Sequence, residues 1–235
     1  MKPYRIRCLE TTSSTNDDAR NAAEAGEGEG LVVHALKQTA GRGRQGRQWE
    51  SPEGNLYCSI LLRPKTETRF FGQYSFVTAL ALADTVKAFA SHVAVTLKWP
   101  NDVLANGKKI SGILLESNAD YLIVGIGINI LHHPENVLYP ATSLSALGTT
   151  EASNAIILET LLDRFWYWYG VVQRQSFGPI RAAWLENAHK GPVTVKLLDK
   201  TLQGDFIDID EEGRLRLRLA DGIEKAFTTG DVFFT

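Results

Sequence analysis

Residues 113–128 read ILLESNADYLIVGIGI, two apolar runs separated by a short polar segment. The runs at 113–116 and 121–128 have the length and composition of buried strands. Asn118, Ala119 and Asp120 between them are typical of a turn, so the two strands are expected to pair as an antiparallel hairpin. The chain therefore contains a sheet that is at least partly antiparallel.

Three further segments have the spacing of helices. Ala and Leu are abundant in residues 71–91, where Phe76, Leu80 and Ala83 recur at helical intervals, so we expect a helix with one buried face. Helices are also expected at 155–169 and 180–187, and strands at 31–37, 55–62, 93–99 and 103–105.

The pattern changes after Gly191 and Pro192. Apolar residues then alternate with polar ones at Val193, Val195, Leu197, Leu215, Leu217 and Leu219. This alternation, with turn residues between the runs, predicts a barrel-like β unit of about five short strands. We therefore expect an α+β protein with a boundary near residue 189, which separates a main domain (1–189) from a C-terminal β domain (190–235).

Composition narrows the function classes. Of the 235 residues, 44% are hydrophobic and 22% are charged, the balance of an ordinary globular protein. The net charge of −2 argues against nucleic acid as the main partner. No apolar run approaches the length of a membrane span, and Cys8 and Cys58 are expected to be reduced, half-buried thiols, so the expected compartment is the cytoplasm.

Residues 38–49, QTAGRGRQGRQW, are the most informative stretch for function. Gly41, Gly43 and Gly46 fit the G-x-G-x-x-G pattern of dinucleotide-binding turns. Such a turn must lead into a helix whose N-terminus holds the pyrophosphate, yet the next five residues, ESPEG, do not begin a helix cleanly. The lysine of a P-loop is also absent, since Arg47 follows Gly46.

With these two motifs set aside, we interpret the segment as a loop that binds an anion. Arg42, Arg44 and Arg47 should repel one another unless an anionic ligand arrives, and guanidinium groups suit phosphates and carboxylates. Trp49 is suited to packing against an aromatic ligand. A solvated basic loop and a nucleic-acid contact are the other interpretations of this segment taken alone.

Three other segments combine polar residues with the ends of strands or helices. Residues 12–17 precede a short helix, residues 97–102 end a strand at a proline turn, and residues 108–116 place lysines before a buried strand. Each has an ordinary structural explanation when taken alone: a helix N-cap, a turn and a hairpin tip. Structure alone does not require them to occur together in this order and spacing.

Together with the loop, these segments resemble the biotin–protein ligase family from about residue 10 to the C-terminus. The matching motifs are Ser14-Thr15-Asn16, Gly41-Arg42-Gly43-Arg44-Gln45-Gly46-Arg47 with Trp49, Trp99-Pro100-Asn101-Asp102, Lys109 with Gly112-Ile113-Leu114, Gly125-Ile126-Gly127-Ile128-Asn129 and Ala141-Thr142-Ser143-Leu144. The resemblance implies a mixed-sheet catalytic domain packed with helices, like that of class II synthetases, followed by an SH3-like barrel. Many bacterial members also carry an N-terminal helix-turn-helix domain and act as repressors. The first motif here begins near residue 12, so we expect the type that only catalyses.

In this family, the biotin carboxylate attacks the α-phosphorus of ATP, which gives biotinyl-adenylate and pyrophosphate. A lysine of a biotin carboxyl carrier protein then displaces AMP. The resemblance assigns the cations of the first step to Lys109 and Arg44, with Arg42 and Arg47 as further candidates, and gives Asp102 the orientation or deprotonation of the carrier lysine. Mg²⁺ is expected to bridge phosphate oxygens, and no permanent metal site is expected.

The resemblance also implies which residues contact the substrates. The ureido ring of biotin would be held by Ser14, Thr15, Asn16, Gln38 and the loop at Gly41, Arg42 and Gly43. Trp49 and Asn129 would lie at the adenine end. Three glycines, Gly112, Gly125 and Gly127, would let the backbone approach the ligand closely, although tight strand packing explains the last two equally well.

Two other functions stay open at this stage. One is a lipoate- or octanoyl-transferring enzyme of related fold, against which the arginine–glycine loop and the Trp-Pro-Asn-Asp turn argue. The other is a non-enzymatic nucleic-acid-binding module, against which the net charge argues. The expected partner is a biotin carboxyl carrier protein, with no DNA and no membrane, and an exposed sheet edge would permit a homodimer.

Overall fold

The computed structural model describes residues 2–135, 137, 139–149, 153–197 and 199–234. The first strands along the chain are β1 (Arg5–Thr12), β2 (Leu31–Gln38), β3 (Leu56–Leu62), β4 (Val95–Lys98), β5 (Asp102–Ala105), β6 (Lys108–Ser117) and β7 (Leu122–Ile128). Within the described residues these seven form one sheet, in the order β1-β2-β3-β7-β6-β5-β4. Strand β1 runs parallel to β2 and every other neighbouring pair is antiparallel, so the sheet is mixed, as predicted.

The hairpin at 113–128 forms the centre of this sheet. Strands β6 and β7 pair along their length, and the Asn118 carboxamide oxygen accepts hydrogen bonds from the backbone N–H groups of Asp120 (2.8 Å) and Tyr121 (3.1 Å). This side chain closes the turn between the strands. Every residue of β7 is buried, because β3 and β6 flank it and helices cover the sheet.

Helices pack on both faces of the sheet: α1 (Thr15–Glu24), α2 (Gln73–Phe89), α3 (Asn154–Gln175) and α4 (Gly178–Asn187). Leu31 and Val33 of β2 pack in a small core with α1, whereas Val32 between them belongs to the larger core with α2 and α3. The three predicted helices are confirmed as α2, α3 and α4. Helix α3, predicted at 155–169, extends further, to Gln175. None of these described helices is long and apolar enough to cross a membrane.

Helix α2 is buried on nearly every side, so the expectation of one buried face is wrong. Residues 74–83 are all buried, because the sheet lies on one side of the helix and α3 and α4 pack on the others. Thr78 and Thr85 are polar residues within it. Their hydroxyls donate to the carbonyl oxygens of Tyr74 (2.6 Å) and Ala81 (2.7 Å), which satisfies them without leaving the core.

The two cysteines also differ from the expected pair of half-buried thiols. Cys8 is exposed on β1, whereas Cys58 is fully buried in β3, where burial raises the pKa of its thiol to about 12. The difference arises because β1 is an edge strand of the sheet, whereas β3 lies inside it, between β2 and β7.

The C-terminal segment forms the second sheet that the alternation predicted. Its five described strands are β8 (Pro192–Lys196), β9 (Thr201–Ile209), β10 (Leu215–Leu219), β11 (Glu224–Phe227) and β12 (Asp231–Phe234). They pair in the order β11-β10-β9-β8-β12, and all the pairs are antiparallel. The α+β class with a small C-terminal β unit is therefore confirmed.

The hydrophobic core runs without a break from the large sheet into the small one. Val195 and Leu217 of the small sheet belong to the same buried cluster as α2 and the large sheet. Trp184 of α4 packs edge-on against Phe76 of α2, with ring centroids 5.2 Å apart, and lies 6.5 Å from the ring of Phe206 in β9. The two sheets are therefore expected to unfold as one unit.

Leu217→Ala tests this continuity. The side chain is fully buried, so its truncation should cost about 2–5 kcal/mol of unfolding free energy. Because the core is shared, we expect one denaturant transition, shifted for the whole chain, when the signal is followed by tryptophan fluorescence and by circular dichroism. The control is Ile223→Ala, since Ile223 is exposed and should change stability by less than about 0.5 kcal/mol. Two separate transitions, with only one of them shifted, would contradict a shared core.

Candidate active site

A cavity of about 320 Å³ opens between the loop 38–49, strands β6 and β7, and the C-terminal sheet. Its size is that of a small-molecule site. The sequence-predicted residues that line it are Ser14, Thr15, Asn16, Gln38, Arg42, Gly43, Arg44, Arg47, Trp49, Asp102, Lys109, Gly112, Gly125, Gly127 and Asn129. Gly41 alone lies behind the wall, where its backbone packs closely against Ser51 and the carbonyl of Trp49.

One end of the cavity is made of buried polar side chains at the start of α1. Ser14 occupies the N-cap position but its side chain makes no capping hydrogen bond, so the simple N-cap explanation of this segment does not hold. The Gln38 carboxamide oxygen accepts from the backbone N–H of Thr15 (2.9 Å), and the Ser59 hydroxyl lies 2.6 Å from Asn16 Oδ1. These contacts fix the polar groups before a ligand arrives, which is the arrangement that selective hydrogen bonding needs.

Arg42 lies at the base of the loop and is held entirely by carboxylates. Its Nη1 and Nη2 donate to both oxygens of Asp17 (2.8 and 2.6 Å), and its Nε and Nη2 donate to Glu116 (3.1 Å each). The hydrogen bond with Asp17 raises the pKa of Arg42 and, in return, lowers the pKa of the Asp17 carboxyl. Glu116 also accepts from Asn16 and Arg20, so one network joins the loop, α1 and β6.

Arg47 and Arg44 face the C-terminal sheet in different ways. Arg47 forms an ion pair with Asp231 at the start of β12 (2.6 Å). Arg44 approaches only neutral acceptors: Thr229 Oγ1 (3.1 Å) and, more distantly, Asn101 Oδ1 (3.4 Å) and the Gly230 carbonyl oxygen (3.5 Å). No carboxylate oxygen among the described residues lies within 4.0 Å of it. Burial lowers the pKa of its guanidinium.

The expected mutual repulsion of the three arginines is therefore wrong for two of them. The protein's own carboxylates neutralise Arg42 and Arg47, and only Arg44 keeps a charge that a described side chain does not pair. The sequence could not show this, because Arg42 and Glu116 are 74 residues apart, and Arg47 and Asp231 are 184 apart.

Asp102 sits between two lysines. Its Oδ1 lies 2.6 Å from Lys109 Nζ and its Oδ2 lies 3.4 Å from Lys98 Nζ, and all three residues line the cavity. Lys109 was predicted as a cation of the site, and it is paired with Asp102. Lys98 was not predicted as a site residue. It is the last residue of β4, and its place beside the Trp-Pro-Asn-Asp turn is the signal that could have identified it.

Trp49 lines the cavity and packs closely against two glycines of the sheet. A Cβ atom on Gly127 would lie 2.5 Å from the indole of Trp49, and one on Gly112 would lie 3.0 Å from it. A Cβ atom on Gly125 would collide with the Asn16 carboxamide. In this structure the close approach at these glycines is made by protein side chains. The indole N–H of Trp49 is buried and has no hydrogen-bond partner among the described residues.

The far wall contains residues that the sequence did not indicate. Tyr139, Asp231 and Val232 line the cavity beside Lys98. The Tyr139 ring stacks on Phe233 with centroids 4.9 Å apart, and burial raises the pKa of its hydroxyl to about 12. Their position depends on the C-terminal sheet packing against the loop 38–49, which no local pattern encodes.

Comparison with known proteins finds matches along most of the chain. The model of the Biotin/lipoate A/B protein ligase family matches residues 6–133, and that of the Biotin protein ligase C terminal domain matches residues 192–235. The biotin–[acetyl-CoA-carboxylase] ligase of Paracoccus denitrificans is 36% identical, over 96% of this chain and 99% of its own length. The chain belongs to the biotin–protein ligase family.

Further relatives extend the comparison. The bifunctional ligase/repressor BirA of Bacillus subtilis is 36% identical, over 92% of this chain and 70% of its own length. The solved structure of the biotin protein ligase from Aquifex aeolicus in complex with biotin and ATP superposes with a TM-score of 0.85 at 30% identity, and 97% of each chain is covered. The mixed sheet with a C-terminal β unit is thus the fold of this family.

Glu116→Gln tests whether the carboxylate network fixes the loop. The substitution removes one of the two charges that hold Arg42, at a site about three-quarters shielded from solvent. We expect the loop to open about 5-fold more often, which corresponds to a loss of about 1 kcal/mol. Limited trypsin digestion without ligand should cut faster after Arg44 and Arg47. Glu53→Gln, an exposed carboxylate with no described cation within 4.0 Å, is the control. Equal cleavage of the two variants would show that the loop does not depend on this network.

Proposed function

We propose that the chain joins biotin to a lysine of a biotin carboxyl carrier protein in two steps, with ATP as the energy source. The observation that carries this proposal is a cavity with two unlike ends. Buried polar groups are fixed at one end, and cations outnumber carboxylates at the other. A ureido ring needs paired donors and acceptors in a dry pocket, and phosphates need cations.

In this proposal the ureido ring lies at the start of α1. Ser14 contributes a hydroxyl that is not used for capping, and Thr15 and Asn16 contribute groups whose direction is already set. Gln38 acts mainly by holding Thr15. The apolar ring and tail of biotin would then extend from these residues toward Trp49, which packs on Gly112 and Gly127, and Asn129 would lie at the adenine end.

The activation step brings two anions together. A carboxylate oxygen of biotin forms a bond to the α-phosphorus, and the bond from that phosphorus to the bridging oxygen breaks with its electron pair leaving on pyrophosphate. Arg44 and Lys109 are the proposed cations for this step. Arg44 has no described carboxylate partner, and Lys109 shares its single carboxylate with Lys98. Arg42 and Arg47 are already paired and would fix the loop instead.

In the transfer step, the amine of the carrier lysine forms a bond to the carbonyl carbon of the adenylate, AMP leaves, and the amine loses a proton. Both oxygens of Asp102 face ammonium groups, so orientation of Lys109 fits its geometry better than proton removal does. The adenylate is a mixed anhydride that water hydrolyses. Trp49 and the loop above it would shield the intermediate from water.

Mg²⁺ is proposed to accompany ATP. Two of the carboxylates that line the cavity, Asp102 and Asp231, already serve as partners of cations, and no cluster of three or more His, Cys, Asp or Glu among the described residues is placed to hold a metal ion. The phosphate oxygens of the nucleotide would therefore be the main ligands. When bound, the ion would neutralise phosphate charge.

We also propose an assembly, a compartment and a role for the C-terminal unit. The outer edge of β1 has no strand beside it among the described residues, and a second copy of the chain could pair there to form a homodimer. The cytoplasm, where ATP and a reducing environment are available, is the proposed compartment. We propose that the domain boundary lies near residue 189 and that the two domains differ in function. The C-terminal domain would support the loop 38–49 and bind the carrier protein.

The function is tested with purified chain, ATP, Mg²⁺, labelled biotin and a biotin carboxyl carrier domain. We expect ATP-dependent labelling of one carrier lysine and none when that lysine is replaced by Arg. Unlabelled biotin in excess should abolish the signal, and lipoate or octanoate should leave it unchanged. Transfer of octanoate or lipoate in place of biotin would support the alternative acyl-transferring function instead.

Lys109→Ala sharpens this test. Removal of the ammonium should slow adenylate formation by about 100-fold while the affinity for biotin changes little, because the charge matters most when charge develops on the phosphates. Single-turnover release of pyrophosphate and calorimetric titration of biotin measure the two quantities. Lys108→Ala is the matched control, since its side chain is exposed and does not line the cavity. An unchanged rate in Lys109→Ala would remove Lys109 from the chemistry.

A further inference from the structure

Lys98 is a buried lysine at the end of β4. Its side chain is only 9% exposed, yet it lines the cavity. The ammonium lies 4.1 Å from the centroid of the Tyr139 ring, a cation–π contact, and the ring is itself held by stacking on Phe233. Lysine is among the residues that are almost never buried without a partner, so this position calls for one.

The partners within the described residues do not satisfy Lys98. An ammonium group has three N–H donors, and its only described carboxylate contact is Asp102 Oδ2 at 3.4 Å, beyond ordinary hydrogen-bond length. Asp102 lies nearer to Lys109, at 2.6 Å, so one carboxylate serves two ammonium groups. Burial lowers the pKa of Lys98, Asp102 opposes this effect, and the charge of Lys109 adds to it. The cavity thus holds a positive charge that it does not balance internally.

The surroundings of Lys98 indicate what would balance it. Asn101, Arg44 and Lys109 line the cavity together with Lys98. The polar residues at the other end, Ser14 to Asn16, belong to the start of α1. A ligand that reaches the three cations Lys98, Arg44 and Lys109 must carry more than one negative oxygen. A chain of phosphates has this chemistry, and a single carboxylate does not.

We propose that Lys98 is a catalytic residue of the activation step, which binds the phosphate oxygens that become pyrophosphate; this rests on the function proposed above. The bond from the α-phosphorus to the bridging oxygen breaks, and its electron pair stays on the leaving pyrophosphate. The Lys98 ammonium lies against this growing negative charge and transfers no proton. Tyr139 keeps the ammonium pointing into the cavity, and the Asp102 carboxylate partly neutralises both Lys98 and Lys109.

The test compares Lys98→Met with Lys108→Met. Met keeps the apolar stem and removes the charge, and Lys108 is an exposed lysine outside the cavity. For Lys98→Met we expect single-turnover pyrophosphate release to slow by about 100-fold, and inorganic pyrophosphate, titrated by calorimetry, to bind at least about 10-fold more weakly. Biotin affinity should stay within about 2-fold, because biotin binds at the other end. Lys108→Met should match the wild type in all three.

The outcomes separate this inference from the proposed function. Wild-type chain that releases no pyrophosphate with biotin and ATP would refute the function itself. An active wild type with an unchanged Lys98→Met variant would overturn only the role of Lys98. If Lys98 merely positions Asp102, Lys98→Met and Asp102→Asn should slow the reaction equally, with pyrophosphate affinity unchanged, and the proposal fails. Lys98→Gln, which keeps length and polarity, must show the same loss of pyrophosphate binding. Failure of both variants to fold would assign Lys98 to stability and would also overturn it.

Discussion

The site depends on one constraint: Asp102 is a single carboxylate that faces two lysines, with an arginine nearby that has no described carboxylate at all. Buried like charges repel, and a protein stabilises such a group only when an anion completes it. Here the remaining positive charge lies in an open cavity, so we propose that a bound ligand is the anion that completes it. The same surplus that costs stability in the absence of ligand supplies attraction when phosphates bind.

The rest of the fold holds that surplus in place. The carboxylates of Asp17 and Glu116 fix Arg42, so the base of the loop is tied to α1 and β6. Asp231 fixes Arg47, so the far side of the loop is tied to the C-terminal sheet. The C-terminal sheet shares its hydrophobic core with α2 and α4, which means that the loop is positioned by the whole chain. A β unit that carries none of the sequence motifs of the site therefore still contributes to its geometry.

Patterns of short range predicted the fold well. The hairpin at 113–128 and the alternation after residue 191 depend on neighbours in sequence, and both were confirmed. The burial of α2 on nearly all sides was missed, because it depends on α3 and α4, which lie far along the chain. The same limit applied to the site. The arginine–glycine loop was recognisable. Which of its arginines are paired was not, because Arg42 and Arg47 pair with Glu116 and Asp231, which lie far along the chain. Lys98 lies directly before the Trp-Pro-Asn-Asp motif, yet its burial beside Tyr139 follows only from the packed structure.

Arg42 and Arg47 are proposed to hold the loop, whereas Arg44 and the lysines around Asp102 are proposed to bind the ligand. This difference can be tested directly. A crystal structure with a non-hydrolysable biotinyl-adenylate analogue would decide it. We expect the phosphate analogue to lie within about 3 Å of the Arg44 guanidinium and of the lysine ammonium groups around Asp102, while Arg42 keeps its hydrogen bonds to Asp17 and Glu116. A structure in which Arg42 leaves those carboxylates to bind the phosphate, with Arg44 turned away from it, would contradict the account.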